Sequence, residues 1–366
     1  MNSKAKFIRL HARLFLAIVW CRLRKKKQPL NVFICVTNRC NLRCKYCYGV
    51  YFKRQGWREF TTGELLDLVD TLAEMGTRLI QFQGGEPLLR QDLPEIMDRA
   101  KQHGIMVDLV TNGILLRQSP EVAARINSAC FSMDGPRELM DAYRGQGAYD
   151  ATIDAIRYCR EMRIPARANS VLTNETKESD IDYLVALARA ENFEINFCPP
   201  YDFIPLEEAP EYRPMEIDDD HLRLLIRAVI KHKEAGGPVQ FSRSAFEWAL
   251  KWPFPYSKFR AKREELPSEY QPVSCIHGDY VVFVDSDGRL YPCCNLWHDP
   301  EAPNIHDLGF REAYRRISRH GCDACYVFSY IDRNSIFNLR PRILFNYFSN
   351  MMKDVLGRMG QNIKKG

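Results

Sequence analysis

Three cysteines fall close together in Cys40-Asn-Leu-Arg-Cys44-Lys-Tyr-Cys47, and the next cysteine along the chain is Cys130. Thiolates are the usual protein ligands of iron-sulfur clusters, and a four-iron cube takes four ligands, so a compact triplet leaves one iron open. An open coordination site invites a substrate or cofactor. A structural zinc instead uses paired cysteines and a closed set of four. The rest of the chain must then supply a pocket around that open position.

The surrounding sequence alternates strand and helix signals. Val32-Phe33-Ile34-Cys35-Val36 reads as a buried strand running into the cysteine loop. A helix follows from about Gly63 to Glu74, with Leu65, Leu66, Leu68, Val69 and Leu72 as its apolar stripe. Further strands are expected at Leu79 to Phe82, Met106 to Val110, Ala129 to Ser132 and Ala166 to Leu172. Such alternation argues for a parallel sheet with outer helices, and in sheets of this kind ligands gather at the carboxyl ends of the strands. The loop signals fall at those ends: the cysteine loop, Gly84-Gly85-Glu86-Pro87, Thr111-Asn112-Gly113, and Ser132 to Pro136. Two glycines permit close backbone approach, and the proline stops the strand.

A second cysteine set comprises Cys275, Cys293, Cys322 and Cys325. Tyr280 to Val284, a turn at Asp285 to Gly288, and Arg289 to Tyr291 read as a β-hairpin that places Cys275 and Cys293 near one end. Four thiolates could close a site for a cluster or for zinc. Cys21, Cys35, Cys130, Cys159 and Cys198 sit in apolar or strand contexts and are assigned no chemistry. The grouping into ligand-like sets argues against a disulfide framework and for a reducing compartment.

The Cys-x3-Cys-x2-Cys spacing, with Tyr46 just before the last cysteine, resembles the signature of radical S-adenosylmethionine (radical SAM) enzymes. The resemblance covers about residues 31 to 330. It implies an incomplete (β/α)6 TIM-like barrel with a small C-terminal β-hairpin/helix auxiliary iron-sulfur domain. Cys40, Cys44 and Cys47 would hold a catalytic 4Fe-4S cluster whose open iron is chelated by S-adenosylmethionine. Reductive cleavage of that cofactor to a 5′-deoxyadenosyl radical, followed by hydrogen abstraction, would oxidise a substrate or form a bond in it. Tyr46, Gly84, Gly85, Glu86, Ser132 and Arg144 would position S-adenosylmethionine, with Glu86 accepting from its amino group. The late cysteines resemble the abbreviated SPASM domain called twitch, so Cys275, Cys293, Cys322 and Cys325 would hold a second, fully ligated 4Fe-4S cluster. In the sulfatase-maturing branch an aspartate follows the cysteine matching Cys293; here that place is Cys294, read as a buried thiol, which disfavours sulfatase oxidation. A flavodoxin or ferredoxin would supply electrons. The substrate stays open between a small metabolite, a lipid-linked molecule and a peptide, although only 39 residues precede Cys40, too few for a separate leader-binding domain.

Charge is concentrated at one end. The net charge is +6, yet nine of the 52 basic side chains precede residue 28 with no acid among them, leaving 43 bases against 46 acids. No nucleic-acid surface is implied. The same segment holds Leu14 to Cys21, an apolar run too short to span a bilayer, which needs roughly 20 residues. It fits an interfacial helix at the inner face of the membrane, or a helix packed across the barrel's open side.

The expected organisation is a basic N-terminal segment over 1–30, the barrel over 31–200, a bridging helical segment over 201–270, the auxiliary domain over 271–330 and a basic amphipathic tail over 331–366. Within the bridge, a proline-rich passage from Pro199 to Pro214 precedes a helix from about Asp218 to Glu234. The aromatic set Phe246, Trp248, Trp252, Phe254, Tyr256 and Phe259 is read as packing rather than as substrate ligands. The location expected is cytoplasmic. The competing class is a non-catalytic iron-sulfur or zinc protein with all seven cluster cysteines structural.

Overall fold

A computed structural model describes residues 3–49, 51, 54, 56–200, 217–297, 299–319 and 321–340, with side chains of the first helix described from Arg9 onward. Most of the proline-rich passage and the tail from residue 341 lie outside the described residues.

Helix α1 (Ser3–Arg24) precedes β1 (Asn31–Cys35). The chain then runs through α2 (Thr62–Glu74), β2 (Leu79–Gln83), α3 (Leu93–Gln102), β3 (Met106–Thr111), α4 (Pro120–Ala123), β4 (Ser128–Ser132), α5 (Arg137–Arg144), α6 (Ala148–Glu161), β5 (Ala166–Val171), α7 (Glu178–Glu191) and β6 (Glu194–Cys198). All neighbouring pairs from β1 to β6 are parallel and follow chain order, which is the half-closed barrel that the strand-helix alternation implies. Local signals fix the helices. Thr61 and Glu64 form a reciprocal capping box at the start of α2, and Leu65, Leu68, Val69 and Leu72 are buried beneath it, with Leu66 at the margin.

The period-two alternation of the strands divides the sheet into two environments. Outward residues such as Val32, Ile34, Ile80, Phe82, Val107 and Leu109 are fully buried under the helices. Inward residues are largely polar. Arg167 donates to Asp108 Oδ2 (3.0 Å), Ser128 Oγ (3.1 Å) and Gln81 Oε1 (3.4 Å), and Gln81 Nε2 donates to Asn31 Oδ1 (3.1 Å). The barrel therefore has a hydrogen-bonded lumen rather than a filled apolar core.

Beyond the barrel lie α8 (Asp219–Glu234), α9 (Arg243–Leu250), β7 (Arg260–Ala261), β8 (Val281–Val284), β9 (Leu290–Tyr291), α10 (Ile305–Arg316), β10 (Ala324–Cys325) and α11 (Phe328–Phe337). Asp218 caps α8, accepting from His221 N–H at 2.9 Å. Trp252, Tyr256 and Phe246 are buried, and Trp252 and Tyr256 pack on Tyr326, so the aromatic set is packing.

The late hairpin forms as expected but belongs to the barrel sheet. β8 runs parallel to β1, from Asn31 opposite Val281 to Ile34 opposite Val284, and β9 returns antiparallel to it. The sheet thus has eight strands in the order β6-β5-β4-β3-β2-β1-β8-β9. Every residue of β1 is buried, and a buried edge with unpaired N–H and C=O groups is costly, so β1 takes a second neighbour.

Two further contacts close the structure. α1 lies across the end of the barrel where the strands begin, burying Ile18 and Cys21 against Leu30, Phe33, Val281 and Phe337. Arg54, 3% exposed, donates to Asp285 Oδ2 (2.8 Å) and Oδ1 (3.3 Å), tying the hairpin turn to the segment after the cysteine loop. Replacing one partner of a buried pair strands the other charge, at about 3–5 kcal/mol. Arg54→Met should lose that much stability in urea unfolding, with Arg54→Met/Asp285→Leu recovering most of it. A cost below about 1 kcal/mol for the single variant would show the pair to be unimportant.

Candidate active site

One cavity of about 970 Å³ runs the length of the barrel. At the end where the strands finish it is lined by Cys40, Cys44, Cys47, Tyr46, Gly84, Gly85, Ser132 and Arg144. At the other end it reaches Asn31, Leu79, Met106 and Glu194, and is floored by His11, Leu14, Phe15 and Ile18 of α1. Eight of the nine residues expected around the cofactor, with the cysteine triplet counted among them, thus share one space.

Glu86 is the ninth, and its carboxylate is engaged by neighbouring groups of the protein. Its side chain is fully buried and does not line the cavity. Oε1 accepts from Thr111 Oγ1 (2.7 Å) and Leu88 N–H (3.1 Å), and Oε2 accepts from Asn112 N–H (2.9 Å). Glu86 is a clip holding the end of β3 to the Gly-Gly turn. The glycines have a matching reason. Gly84 adopts φ +144°, and a Cβ there would stand 2.7 Å from the Thr37 carbonyl oxygen; at Gly85 it would stand 2.2 Å from that of Arg39. Only glycine lets this strand end press against the start of the cysteine loop. There Gly85 N–H donates to Thr37 O (2.9 Å) and Glu86 N–H to Arg39 O (2.8 Å).

The far side of the cysteine loop is held by Asp134, which the sequence placed in a loop motif but not among the site residues. Asp134 is 2% exposed and collects the Tyr46 hydroxyl, the Arg144 guanidinium and Val171 N–H (3.0 Å). Arg144, pinned in this way, lies over the Tyr46 ring at 5.2 Å and reaches Cys44 Sγ at 3.8 Å. Burial pushes the Cys40 thiol up to about 12 and Cys44 up to about 11, with Arg144 opposing the latter. Such thiols stay protonated until a cation binds them, which is the behaviour expected of metal ligands. Asn112 Nδ2 also donates to Asn41 Oδ1 (2.7 Å), so the loop is anchored at both ends.

The second cysteine set converges as well. Cys275, Cys293, Cys322 and Cys325 line one small pocket with Asn295, Asn334, Trp248 and Tyr270. β7 and β10 pair Cys325 with Arg260, and Arg319 Nη1 donates to the Cys275 carbonyl at 3.0 Å. Burial raises the Cys293 thiol well above the ordinary range, and Cys275, Cys322 and Cys325 push it further. Among the described residues no three His, Cys, Asp or Glu groups stand where one metal ion would be shared. Each cysteine set lines one cavity, three thiols in the long one and four in the small one, and thiolates are the protein ligands that hold iron-sulfur clusters. The residues present therefore fit clusters.

Cys294 sits in the larger cavity, away from that pocket, with its N–H donating to Tyr330 Oη (3.1 Å). Cys130 and Cys198, assigned no chemistry from sequence, line the cavity too, as do Phe33 and Phe283, whose rings stack at 4.3 Å. Lys233 and Arg333 bring basic groups to its wall, which also carries Glu234 and Asp332, and Arg243 there is paired with Glu234 (2.7 Å) and Glu247 (2.6 Å). The inward positions of β4, β5 and β6 could have been found from period two alone; α1 and α11 residues carry no such signal.

Glu86 gives a pH signature. Burial raises its carboxyl from 4.5 to about 7 against the pull of its three donors. A folded-state value above the unfolded one means that its stabilising contribution is complete below 4.5 and is lost as pH rises through about 7. Urea midpoints between about pH 5 and about pH 8 should fall for the wild type and flatten in Glu86→Gln. Parallel slopes would place the titration elsewhere.

The comparisons with known proteins agree with this geometry. Residues 34–188 match the radical SAM superfamily. The Fe-coproporphyrin III synthase of Methanosarcina barkeri is 37% identical over 312 residues, covering 80% of this chain and 75% of that protein. The AdoMet-dependent heme synthase of Nitratidesulfovibrio vulgaris is 33% identical over 300 residues, 77% of each. Streptococcus suis SuiB bound to S-adenosylmethionine superposes with a TM-score of 0.60 at 16% identity, covering 79% of this chain and 66% of SuiB, a likeness of fold. Among the described residues no helix is long and apolar enough to cross a membrane. With a cysteine-lined barrel, a superfamily match and relatives of this extent, the chain belongs to the radical SAM superfamily of enzymes, which use a 4Fe-4S cluster and S-adenosylmethionine.

Proposed function

We propose that this radical SAM enzyme modifies a large, planar, carboxylate-bearing substrate of the tetrapyrrole class. The observation that carries this reading is the cavity of about 970 Å³, which joins the cysteine loop to a wall holding Phe33, Phe283, Arg333, Lys233 and Arg243. The Phe33 and Phe283 rings give the cavity an apolar wall beside a flat macrocycle, and the Arg333 guanidinium over Phe33 and the Lys233 ammonium answer its carboxylates. The relatives named for iron-coproporphyrin and heme synthesis support it, because their similarity extends over three quarters or more of both chains.

In this reading Cys40, Cys44 and Cys47 hold the catalytic cluster, and Cys275, Cys293, Cys322 and Cys325 hold a second one within residues 271–330. S-adenosylmethionine lies against Tyr46, Gly84, Gly85, Ser132 and Arg144, with Glu86 at the same turn as acceptor for its amino group. Bound there, the cluster and cofactor supply the one-electron cleavage chemistry of the superfamily, with 5′-deoxyadenosine as a product. The protein's own contribution is placement and exclusion of water. Asp134 locks Arg144 and Tyr46, Glu86 sets the Gly-Gly turn, α1 closes the floor, and the Arg167-Asp108 pair fixes the lumen. A reductant is needed; a flavodoxin or ferredoxin fits that requirement. Peripheral contact of residues 1–28 with the inner face of a membrane completes the proposal.

Anaerobic reconstitution tests the ligand sets. Cys40→Ala/Cys44→Ala/Cys47→Ala should lose about four irons and all deoxyadenosine release, whereas Cys275→Ala/Cys293→Ala should lose about four others and keep S-adenosylmethionine cleavage. Iron-coproporphyrin titrated into the protein should shift its visible absorbance saturably, with Arg333→Ala weakening binding about tenfold, equivalent to about 1.4 kcal/mol. No spectral change at saturation, or tighter binding by a peptide, would overturn the substrate class. The cation at Cys44 favours a reduced, more negative cluster. Arg144→Gln, titrated electrochemically without S-adenosylmethionine, should accordingly show a lower cluster potential; an unchanged value would limit Arg144 to cofactor binding.

A further inference from the structure

We infer that the outer face of α1 is a docking surface for an anionic phospholipid bilayer; this rests on the membrane contact in the proposed function and assigns it to particular residues. A helix that packs on a globular body needs one apolar face. α1 has two. Its inner face buries Ile18 and Cys21 and sends Leu14 and Phe15 to the cavity floor. Its outer face leaves Leu16, Trp20 and Leu23 at 64%, 46% and 77% exposure. Steps of four and three residues align these side chains in one stripe. They are half of the six large hydrophobic side chains that stand exposed among the described residues.

The charge around the stripe identifies the occupant. Arg9, Arg22, Arg24, Lys25 and Lys26 are exposed beside it, α1 contains no acid, and Lys26 Nζ sits 5.0 Å from the Trp20 ring centre. Lys27 is the exception, pairing with Asp279 at 2.9 Å. The rest of the chain is slightly acidic, so this basic excess is local rather than general. Apolar residues with an indole at the interface and flanking bases are what an in-plane helix presents to anionic headgroups. A protein partner would need complementary acids around an apolar groove, and α1 itself offers no mixed charge by which to register on one.

The placement has a consequence for the site. His11, Leu14, Phe15 and Ile18 line the cavity from the same helix, so lipid held on the outer stripe lies about one helix diameter, roughly 10 Å, from the floor. An amphiphilic substrate partitioned into that bilayer would be concentrated next to the enzyme.

Flotation of the reconstituted full chain tests the proposal. It should float with vesicles of phosphatidylcholine mixed with phosphatidylglycerol, remain at the bottom with phosphatidylcholine alone, and be released by high salt. Leu16→Ser/Trp20→Ser/Leu23→Ser should lower binding by about tenfold or more while leaving thermal unfolding and deoxyadenosine release in solution unchanged, since these side chains are exposed. Equal flotation of wild type and variant, or none by the wild type, overturns the inference. So does light scattering that shows the substitutions dissolving a dimer without altering vesicle binding, which would make the stripe a contact between copies. Deoxyadenosine release and porphyrin titration are read separately, so loss of the docking surface and failure of the proposed function are distinguishable.

Discussion

A single buried carboxylate, Asp134, organises the reactive end of the barrel. Its two oxygens gather a phenol from the cysteine loop, a guanidinium from α5 and a backbone N–H from the end of β5. Three separate segments are thereby fixed relative to one another at the carboxyl ends of parallel strands. A buried charge satisfied in this manner is energetically tolerable only as a complete set. Loss of one member would release the cysteine loop on one side while the backbone N–H groups of Gly85 and Glu86 still hold it on the other.

Much of this arrangement was legible in the sequence because local patterns carry it. The cysteine spacing, the apolar runs and the Gly-Gly-Glu-Pro turn each need only a few neighbouring residues to be recognised, and five of the six leading parallel strands could be placed from them. β6 is harder to place because Glu194-Ile-Asn-Phe-Cys198 is short and lacks the continuous apolar run of β1, carrying only a brief period-two alternation. The direction of a side chain at a turn was likewise hidden. Glu86 follows two glycines at the mouth of the cavity, yet its carboxylate turns inward to Thr111 and Asn112. Pairing between β1 and β8, distant in sequence, left no local trace.

The N-terminal helix shows how two readings of one segment can both describe it. Its apolar residues were attributable either to lipid or to packing on the barrel, and the structure divides them. Ile18 and Cys21 go inward, whereas Leu16, Trp20 and Leu23 remain outside. Amphipathicity in a sequence reports that a helix has an apolar side; the tertiary contacts decide how many sides are used.

Cys293 is extended, at φ −160° and ψ 169°, and caps a short 3-10 turn that begins at Cys294, so the chain changes course between two neighbouring thiols. One thiol enters the small four-cysteine pocket and the next enters the long cavity. Tyr330 lines both spaces, so the boundary between the chambers is made by this cysteine pair together with that phenol. One residue inserted or deleted between Tyr291 and Cys293 would shift this pair along the turn and draw a thiol away from the four-cysteine pocket, changing both rooms at once.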